Sequence, residues 1–192
     1  MKDIVKLALI LLLVTALAGA ALSLVNNITK PRIEEQKRLA TALALSTALP
    51  AAANGLIEPD TTATSIHYYR GYRDSLKQQL VGYAFLTKEN GYSSEIETMV
   101  GVDTTGKIVG IKILRQLETP GLGTKIEEIS HGQTTPYFQN QFINKVVAQL
   151  AVDKDGGEIV SITGATISSR AVTNSIKKGI QQLEQVIGGF KQ

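Results

Sequence analysis

One stretch near the carboxyl end of the chain combines small and hydroxyl-bearing residues: Thr163-Gly164-Ala165-Thr166-Ile167-Ser168-Ser169. Strand formers precede it and a helical pattern follows it, which indicates a strand-to-helix corner. At such a corner glycine lets the backbone approach a ligand closely, and the unpaired amides of a helix start attract phosphate. The same pattern also suits an ordinary helix start, capped by Ser168 or Ser169 with nothing bound. Both interpretations stay open at this point.

Proline and glycine mark a tight turn in a second stretch, Glu118-Thr119-Pro120-Gly121-Leu122-Gly123-Thr124-Lys125. The two glycines beside Leu122 predict a loop with accessible amides, and Lys125 adds a cation at its end. Because proline and glycine mark surface loops generally, this stretch alone indicates an ordinary loop at least as readily as a binding loop.

The composition excludes several kinds of chemistry. The chain has no cysteine, which rules out disulfides, cysteine-ligated metal or iron–sulfur sites and thiol nucleophiles. Its two histidines, His67 and His131, lack a third histidine or an acidic pair at ligand spacing, so no metal site is expected. The formal charge of +3 comes without a basic block interleaved with aromatic residues, so no nucleic-acid partner is expected.

The elements that must position the two stretches are those of an α+β domain. Residues 80–87 (LVGYAFLT) are rich in strand formers, and a turn follows at 89–91. Apolar residues alternate over 96–102, a turn is expected at 103–106, and 107–114 (KIVGIKIL) predict the return strand. Three strands joined by short turns predict an antiparallel meander.

Helical patterns follow the meander. A short helix is expected over 136–144, a turn over 154–157 and a strand over 158–162. Apolar residues at helical spacing predict a terminal helix over 168–187. Since a chain of 192 residues suits one core, residues 65–192 are expected to form one antiparallel-sheet domain with a C-terminal helix.

An apolar segment opens the chain. Residues 4–25 contain one charged residue, Lys6, and match the roughly 20 apolar residues that cross a bilayer, which predicts a transmembrane helix with the lipid bilayer as a partner. The alternative is a cleaved signal peptide, because Ala18-Gly19-Ala20 resembles a cleavage site. The apolar run continues past that site to Val25, beyond the roughly 7–15 residues of a signal-peptide core, which favours the anchor.

Residues 26–64 are expected to connect the anchor to the domain. Pro31 marks a point where a helix could restart, and helical spacing continues up to Pro50, which predicts a stalk helix. Residues 51–64 are poor in periodicity and predict a loop, so the core is expected to begin near Ser65.

The two stretches, taken in order behind an apolar N-terminal segment, resemble a known family. ETPGLGTK followed by TGATISSRAV is similar to the FMN-binding domain of the G subunit of the Rnf electron-transport complex, a relative of the C subunit of the sodium-pumping NADH:quinone reductase. GYSSEIETMVGVD and DKDGG also resemble segments of that family, so the likeness extends across the domain.

The resemblance implies that Thr166 carries FMN through a phosphoester bond installed by a separate flavin transferase. Gly164 and Ala165 would permit close approach, and the amides from Thr166 to Ser168 would face the phosphate. Lys125, near the pyrimidine edge of the ring, would favour a negatively charged reduced flavin. The other residues that the resemblance assigns to flavin binding are Thr163, Ile167, Glu118, Thr119, Gly121, Leu122, Gly123, Tyr92 and Ser93.

The chain departs from the family pattern at one position. Family motifs usually carry an aspartate six residues before the acceptor threonine, and here that position is Val160. Glu158 and Ser161 lie nearby in sequence without being equivalent. The departure bears on how efficiently flavin is attached.

The function that the resemblance implies is electron relay within a complex of membrane subunits, with no independent catalysis. The complex would couple ferredoxin and NAD chemistry to ion movement, with the FMN domain on the extracytoplasmic face of the inner membrane. Charge counting points the other way, because Lys30, Arg32, Lys37 and Arg38 follow the span. The short N-terminal tail gives that rule few residues to act on, so the resemblance decides the expected topology.

Three alternatives remain. Within the same family, the chain could be the component of a sodium-translocating NADH:quinone reductase that corresponds to its C subunit. It could be a membrane-tethered module that binds FMN without a covalent bond and so does not need Thr166. A structural, pilin-like protein is disfavoured, because Asp3 precedes the apolar run and no acidic residue lies within it.

Overall fold

A computed structural model describes residues 1–60, 66–130 and 132–190. His131 and Ser65, the predicted start of the core, lie outside the described residues. Contacts divide the chain into two compact units, residues 1–40 and residues 41–192.

The first unit consists of the greater part of one long helix, α1 (Lys2–Ala48). In the described part of the chain, α1 is the one helix long and apolar enough to cross a membrane. The restart predicted at Pro31 is wrong, because Pro31 lies inside α1 and the helix continues through it. Proline removes one helical hydrogen bond, and the helix formers around it, among them Lys30, Glu34 and Glu35, support helix on both sides.

An antiparallel sheet forms the centre of the second unit. Five strands are described, in the order β1 (Leu56–Asp60), β2 (Tyr68–Tyr72), β3 (Leu80–Asn90), β4 (Glu95–Asp103) and β5 (Ile108–Arg115). The predicted meander is confirmed as β3, β4 and β5.

The loop predicted for residues 51–64 is corrected by the structure. Its described part, residues 51–60, contains most of a 3-10 turn, Pro50–Ala52, and the edge strand β1, while residues 61–64 lie outside the described residues. Pro59 concealed the strand in the sequence, because proline cannot donate to a ladder and is tolerated at sheet edges.

The two faces of the sheet are covered by different elements. On one face, Ala44 and Ala48 at the end of α1 and the following Leu49 pack against side chains that include Ala84 and Met99. The core therefore begins before residue 65. On the other face lies the larger cluster, in which α3 (Thr166–Ile187) packs on β3 and β4.

The C-terminal region contains less regular structure than its sequence predicts. α2 (Tyr137–Asn140) is shorter than the predicted helix. The strand predicted over 158–162 is wrong, because in the described chain this segment makes only an isolated bridge between Val152 and Ile159. α3 is confirmed but begins two residues before its predicted start, which places Thr166 at its first position.

Candidate functional site

The first segment of the site is the start of α3. Gly164 has a φ of +79° and Ala165 is the N-cap residue. The first helical bond in this turn runs from the Ser169 amide to the Ala165 carbonyl, at 3.0 Å. Among the described residues no side chain caps the helix, so the amides of Thr166, Ile167 and Ser168 have no intrahelical acceptor. This is the arrangement that attracts an anion.

The predicted capping role of Ser168 or Ser169 is wrong, since both lie inside the helix and are buried. Ser169 Oγ donates to the Ala165 carbonyl and accepts from the Ile162 amide, each at 3.0 Å. Its hydroxyl therefore braces the backbone that leads into α3. The helix start is left without a cap because Ala165 occupies the N-cap position.

The second segment is the loop that begins at Glu118 and enters a 3-10 helix, Gly123–Glu127. Gly121 has a φ of +73°, and its amide donates to Thr124 Oγ1 at 3.0 Å. The loop approaches the first segment closely, because a Cβ placed on Gly164 would lie 3.1 Å from Leu122 Cδ2.

The third segment is the turn at residues 91–94, between β3 and β4. It is closed by a 2.8 Å bond from the Gly91 amide to the Ser94 carbonyl. Ser93 Oγ lies 3.3 Å from Thr119 Oγ1, which ties the turn to the second segment. The side chain of Tyr92 is exposed.

The buried carboxylate of Glu118 connects all three segments. In the turn it accepts the amides of Tyr92, Ser93 and Ser94 at 2.9–3.0 Å and the hydroxyl of Ser94 at 3.1 Å. In α3 it accepts the hydroxyl of Ser168 at 2.6 Å. Burial by itself raises the pKa of Glu118, but the bonds from Ser168 and from the three amides outweigh it, so the pKa lies below its usual range. The group is therefore a carboxylate at neutral pH.

A cavity of about 700 Å³ lies where the three segments meet. The described residues that line it were all predicted site residues: Tyr92, Glu118, Thr119, Leu122, Gly123, Gly164, Ala165, Thr166, Ile167 and Ser168. The structure thus brings together segments that are far apart in sequence.

Four predicted site residues are not among those that line the cavity. Thr163, Ser93 and Gly121 are exposed. Lys125 lies in the 3-10 helix and is half-buried.

The aliphatic hydroxyl groups that line the cavity differ in their hydrogen bonding to the protein. Thr119 and Ser168 are bonded to protein partners, Ser93 and Glu118 respectively. No hydrogen bond is described for Thr166 Oγ1 within the residues that the structure describes. Thr166 therefore presents the aliphatic hydroxyl that is least committed to the protein.

Sequence reasoning missed the residues that fix the backbone leading into α3. The Val160 amide donates to Gln141 Oε1 at 2.8 Å, and Gln141 Nε2 donates to the Val160 carbonyl at 3.1 Å. The Ser161 amide donates to Asp153 Oδ1 at 3.0 Å. These side chains make the hydrogen bonds to the backbone of Val160 and Ser161 that a neighbouring strand would otherwise make. Hydrophobic periodicity in the sequence carries no signal for such side-chain pairing. Val160 itself is 61% exposed.

A bidentate ion pair connects the turn at Asp153–Asp155 to α3. Arg170 Nε and Nη2 each donate to Asp155 at 2.7 Å. The segment that resembles the family's DKDGG turn is thus joined to the first turns of α3.

Comparison with known proteins places both units in one family. Residues 91–181 match the family described as FMN-binding domain, and residues 1–47 match the family described as RnfG N-terminal region. The chain is 32% identical to the G subunit of the Na⁺-translocating ferredoxin:NAD⁺ oxidoreductase complex of Acetobacterium woodii, over 94% of this chain and 91% of that protein. It is 30% identical to the G subunit of the ion-translocating oxidoreductase complex of Methanosarcina acetivorans, over 93% and 94%.

A solved structure is also similar. The C subunit of the Na⁺-translocating NADH-quinone reductase of Parabacteroides distasonis matches with a TM-score of 0.49 and 22% identity, over 65% of each chain. The two sequence relatives are more similar to this chain, at 32% and 30% identity. Because these are at least 30% identical over more than nine-tenths of the chain, the protein belongs to the family of G subunits of ion-translocating oxidoreductase complexes and contains an FMN-binding domain.

Proposed function

We propose that the chain is the flavin-carrying member of a membrane ion-translocating complex and relays electrons through FMN attached to Thr166 by a phosphoester bond. The observation that carries the proposal is the position of Thr166: it is the first residue of α3, lines the cavity and has an uncommitted hydroxyl among the described residues. The chain catalyses nothing by itself in this proposal.

The start of α3 fits the phosphate end of FMN. The amides of Thr166, Ile167 and Ser168 are uncapped, and the positive end of the helix dipole adds to their attraction for an anion. Gly164 leaves the approach open, because in its left-handed conformation a larger residue would be strained and would press on Leu122.

The rest of the cavity fits a ring system. Its volume lies within the roughly 300–1,000 Å³ usual for cofactor pockets. Tyr92, Leu122 and Ile167 line it and are 71%, 43% and 49% exposed, an unfavourable state for large apolar side chains that a planar ligand would relieve.

The protein's part in the chemistry is attachment and orientation. FMN supplies the redox chemistry when it is bound. Thr166 Oγ1 would form the bond to phosphorus while the phosphoanhydride bond of a flavin dinucleotide presented by the transferase breaks. The nucleoside monophosphate would leave and take up the hydroxyl proton. The helix-start amides hold the phosphate, and the apolar side chains shield the site from water.

The assembly proposed for the chain includes other subunits and the bilayer. Residues 4–25 in helical form extend over about 33 Å, enough to cross a hydrocarbon core of about 30 Å. The Acetobacterium woodii relative is named for ferredoxin:NAD⁺ oxidoreduction and Na⁺ translocation, and we extend that coupling to this chain as part of the proposal. We also propose that the FMN domain lies on the extracytoplasmic face.

The experiment compares wild type with Thr166→Ala and with Thr134→Ala, an exposed threonine outside the three segments of the site that does not line the cavity. Each chain is co-expressed with a flavin transferase, denatured in acid and freed of small molecules, and its intact mass and absorption are measured. Wild type and Thr134→Ala are expected to gain the mass of FMN less water and to stay yellow, whereas Thr166→Ala stays unmodified.

Two other results would contradict the proposal. Flavin that is released on denaturation of the wild type would show a non-covalent FMN module. Equal modification of Thr166→Ala would show that another hydroxyl carries the flavin.

A further inference from the structure

We propose that Glu118 is a positioning residue that assembles the cavity before FMN is attached, by joining the 91–94 turn to the first turn of α3. This inference rests on the proposed function, because it assumes that FMN is the ligand of the cavity. The resemblance suggests Glu118 as a flavin contact; the structure assigns its carboxylate to the protein instead.

The carboxylate has no acceptor capacity left for a ligand. Oε1 accepts the Ser93 amide, the Ser94 amide and the Ser94 hydroxyl, and Oε2 accepts the Tyr92 amide and the Ser168 hydroxyl. A carboxylate offers about four lone-pair sites, and five donors already converge on this one. Glu118 is also only 4% exposed.

Two glycines are required where the chain packs around this carboxylate. A Cβ on Gly91 would lie 2.6 Å from Glu118 Oε1. A Cβ on Gly123 would lie 2.6 Å from Glu118 Cβ and 2.9 Å from Ser168 Oγ. All three distances are below ordinary contact, so the absence of side chains at these positions is what permits the segments to close on Glu118.

Each segment bound by the carboxylate contributes to the cavity wall. Tyr92 is anchored through its own amide, and Ser168 lies in the same helical turn as Thr166. Loss of the carboxylate would leave three amides without acceptors and separate the turn from α3. Glutamine cannot replace it, because one of the two acceptor atoms becomes an NH₂ donor that faces other donors.

The test uses the full chain in detergent micelles, prepared without the transferase, and measures amide hydrogen exchange at residues 92–94. Glu118→Gln is compared with Glu184→Gln, which makes the same change of charge at an exposed position of α3. Ser168→Ala is compared with Ser175→Ala, a buried serine of α3 whose hydroxyl bonds to the helix's own Val172 carbonyl. The rate of covalent flavin incorporation is then measured for each chain with transferase present.

We expect Glu118→Gln to accelerate exchange of the three amides at least about tenfold, as loss of bonds to a charged acceptor predicts, and to slow flavin incorporation by a similar factor. Ser168→Ala should move both quantities in the same direction by less, and both controls should match wild type. Ser168→Ala removes a single donor and decides the question if Glu118→Gln does not fold.

Unchanged exchange in both Glu118→Gln and Ser168→Ala would overturn the inference. So would accelerated exchange with flavin incorporation at the wild-type rate, since assembly by Glu118 would then be unnecessary. If wild type takes up no flavin, the proposed function fails, while the exchange rates of the flavin-free chain still decide whether Glu118 holds the segments together.

Discussion

Ser168 Oγ donates a 2.6 Å hydrogen bond to Glu118 Oε2, joining the first turn of α3 to a loop 50 residues earlier in the chain. The bond is buried, and it lies beside the uncapped helix start that holds Thr166. A structural carboxylate and a helix start with unpaired amides are thus neighbours. In the proposed function they can coexist because protein donors occupy the carboxylate, which leaves the amides of the helix start for the phosphate.

The charge of Glu118 predicts how stability depends on pH. The pKa of Glu118 is lowered in the folded state, so its contribution to stability is complete above its unfolded pKa and is lost as the pH falls through the folded value. We expect the urea midpoint of wild type to drop more steeply than that of Glu118→Gln as the pH is lowered below about 4.5, the ordinary value for a glutamate. Glu184→Gln, the exposed control, should follow the wild-type curve; identical curves for all three chains would refute the role of the charge.

The contact between the end of α1 and the sheet predicts a strong destabilisation. Gly101 and Gly110 face each other across β4 and β5, and a Cβ on Gly101 would lie 1.9 Å from the Ala48 carbonyl oxygen. We expect Gly101→Ala to lower the free energy of unfolding of the second unit by about 2–4 kcal/mol, since a backbone must move.

Urea unfolding followed by circular dichroism measures this effect. Gly19→Ala provides the control, because a Cβ built there would meet no described atom within 4 Å apart from its chain neighbours and the backbone of its own helix. An equal effect of the two substitutions would contradict the close packing of α1 on the sheet.

The exposed position of Val160 predicts a gain of function without a change in fold. The resemblance places an aspartate here in the family pattern, and the side chain is 61% exposed. We expect Val160→Asp to accelerate covalent flavin incorporation while changing stability by no more than about 0.5 kcal/mol, as surface substitutions usually do. Val160→Asn, which has the same shape without the charge, should not accelerate incorporation. Equal rates for all three chains would show that this chain does not need the aspartate.

The hydrogen bonds between the Gln141 side chain and the Val160 backbone predict that substituting Gln141 lowers stability. Its side-chain amide makes two hydrogen bonds to the Val160 backbone. Gln141→Ala should lower the free energy of unfolding by about 1–2 kcal/mol and increase hydrogen exchange at the Val160 amide. Gln181→Ala, an exposed glutamine of α3, should do neither. If hydrogen exchange at the Val160 amide is unchanged in Gln141→Ala, these hydrogen bonds do not form in solution.

The proposed topology predicts the behaviour of reporter fusions at the carboxyl terminus. With the FMN domain on the extracytoplasmic face, alkaline phosphatase fused to the carboxyl terminus should be enzymatically active. A fluorescent protein fused at the same place would be carried across the membrane with the domain and should not fluoresce. Adding lysines before residue 4 should strengthen this orientation, because positive charge is retained on the cytoplasmic side. The opposite pair of signals would show that Lys30, Arg32 and the later basic residues keep the domain inside.

Local patterns in the sequence determined a large part of this protein. The length of the apolar run predicts the membrane helix, alternation with turn residues predicts β3 to β5, and helical spacing predicts α3. These features are readable because each depends on neighbours within a few residues. The two stretches that resemble the family, together with Tyr92, likewise identified ten residues that the structure brings to one cavity.

Tertiary structure decided what depends on partners far apart in the chain. Pro59 hid β1 in the sequence. The strand forms because β2 supplies its hydrogen-bond partners at the sheet edge. Ser168 resembled a helix cap in the sequence, yet its hydroxyl serves Glu118 because the 118–123 loop closes over α3. Periodicity and propensity contain no term for a hydrogen bond across 50 residues, so the carboxylate that connects the three segments of the site could be seen only in the folded chain.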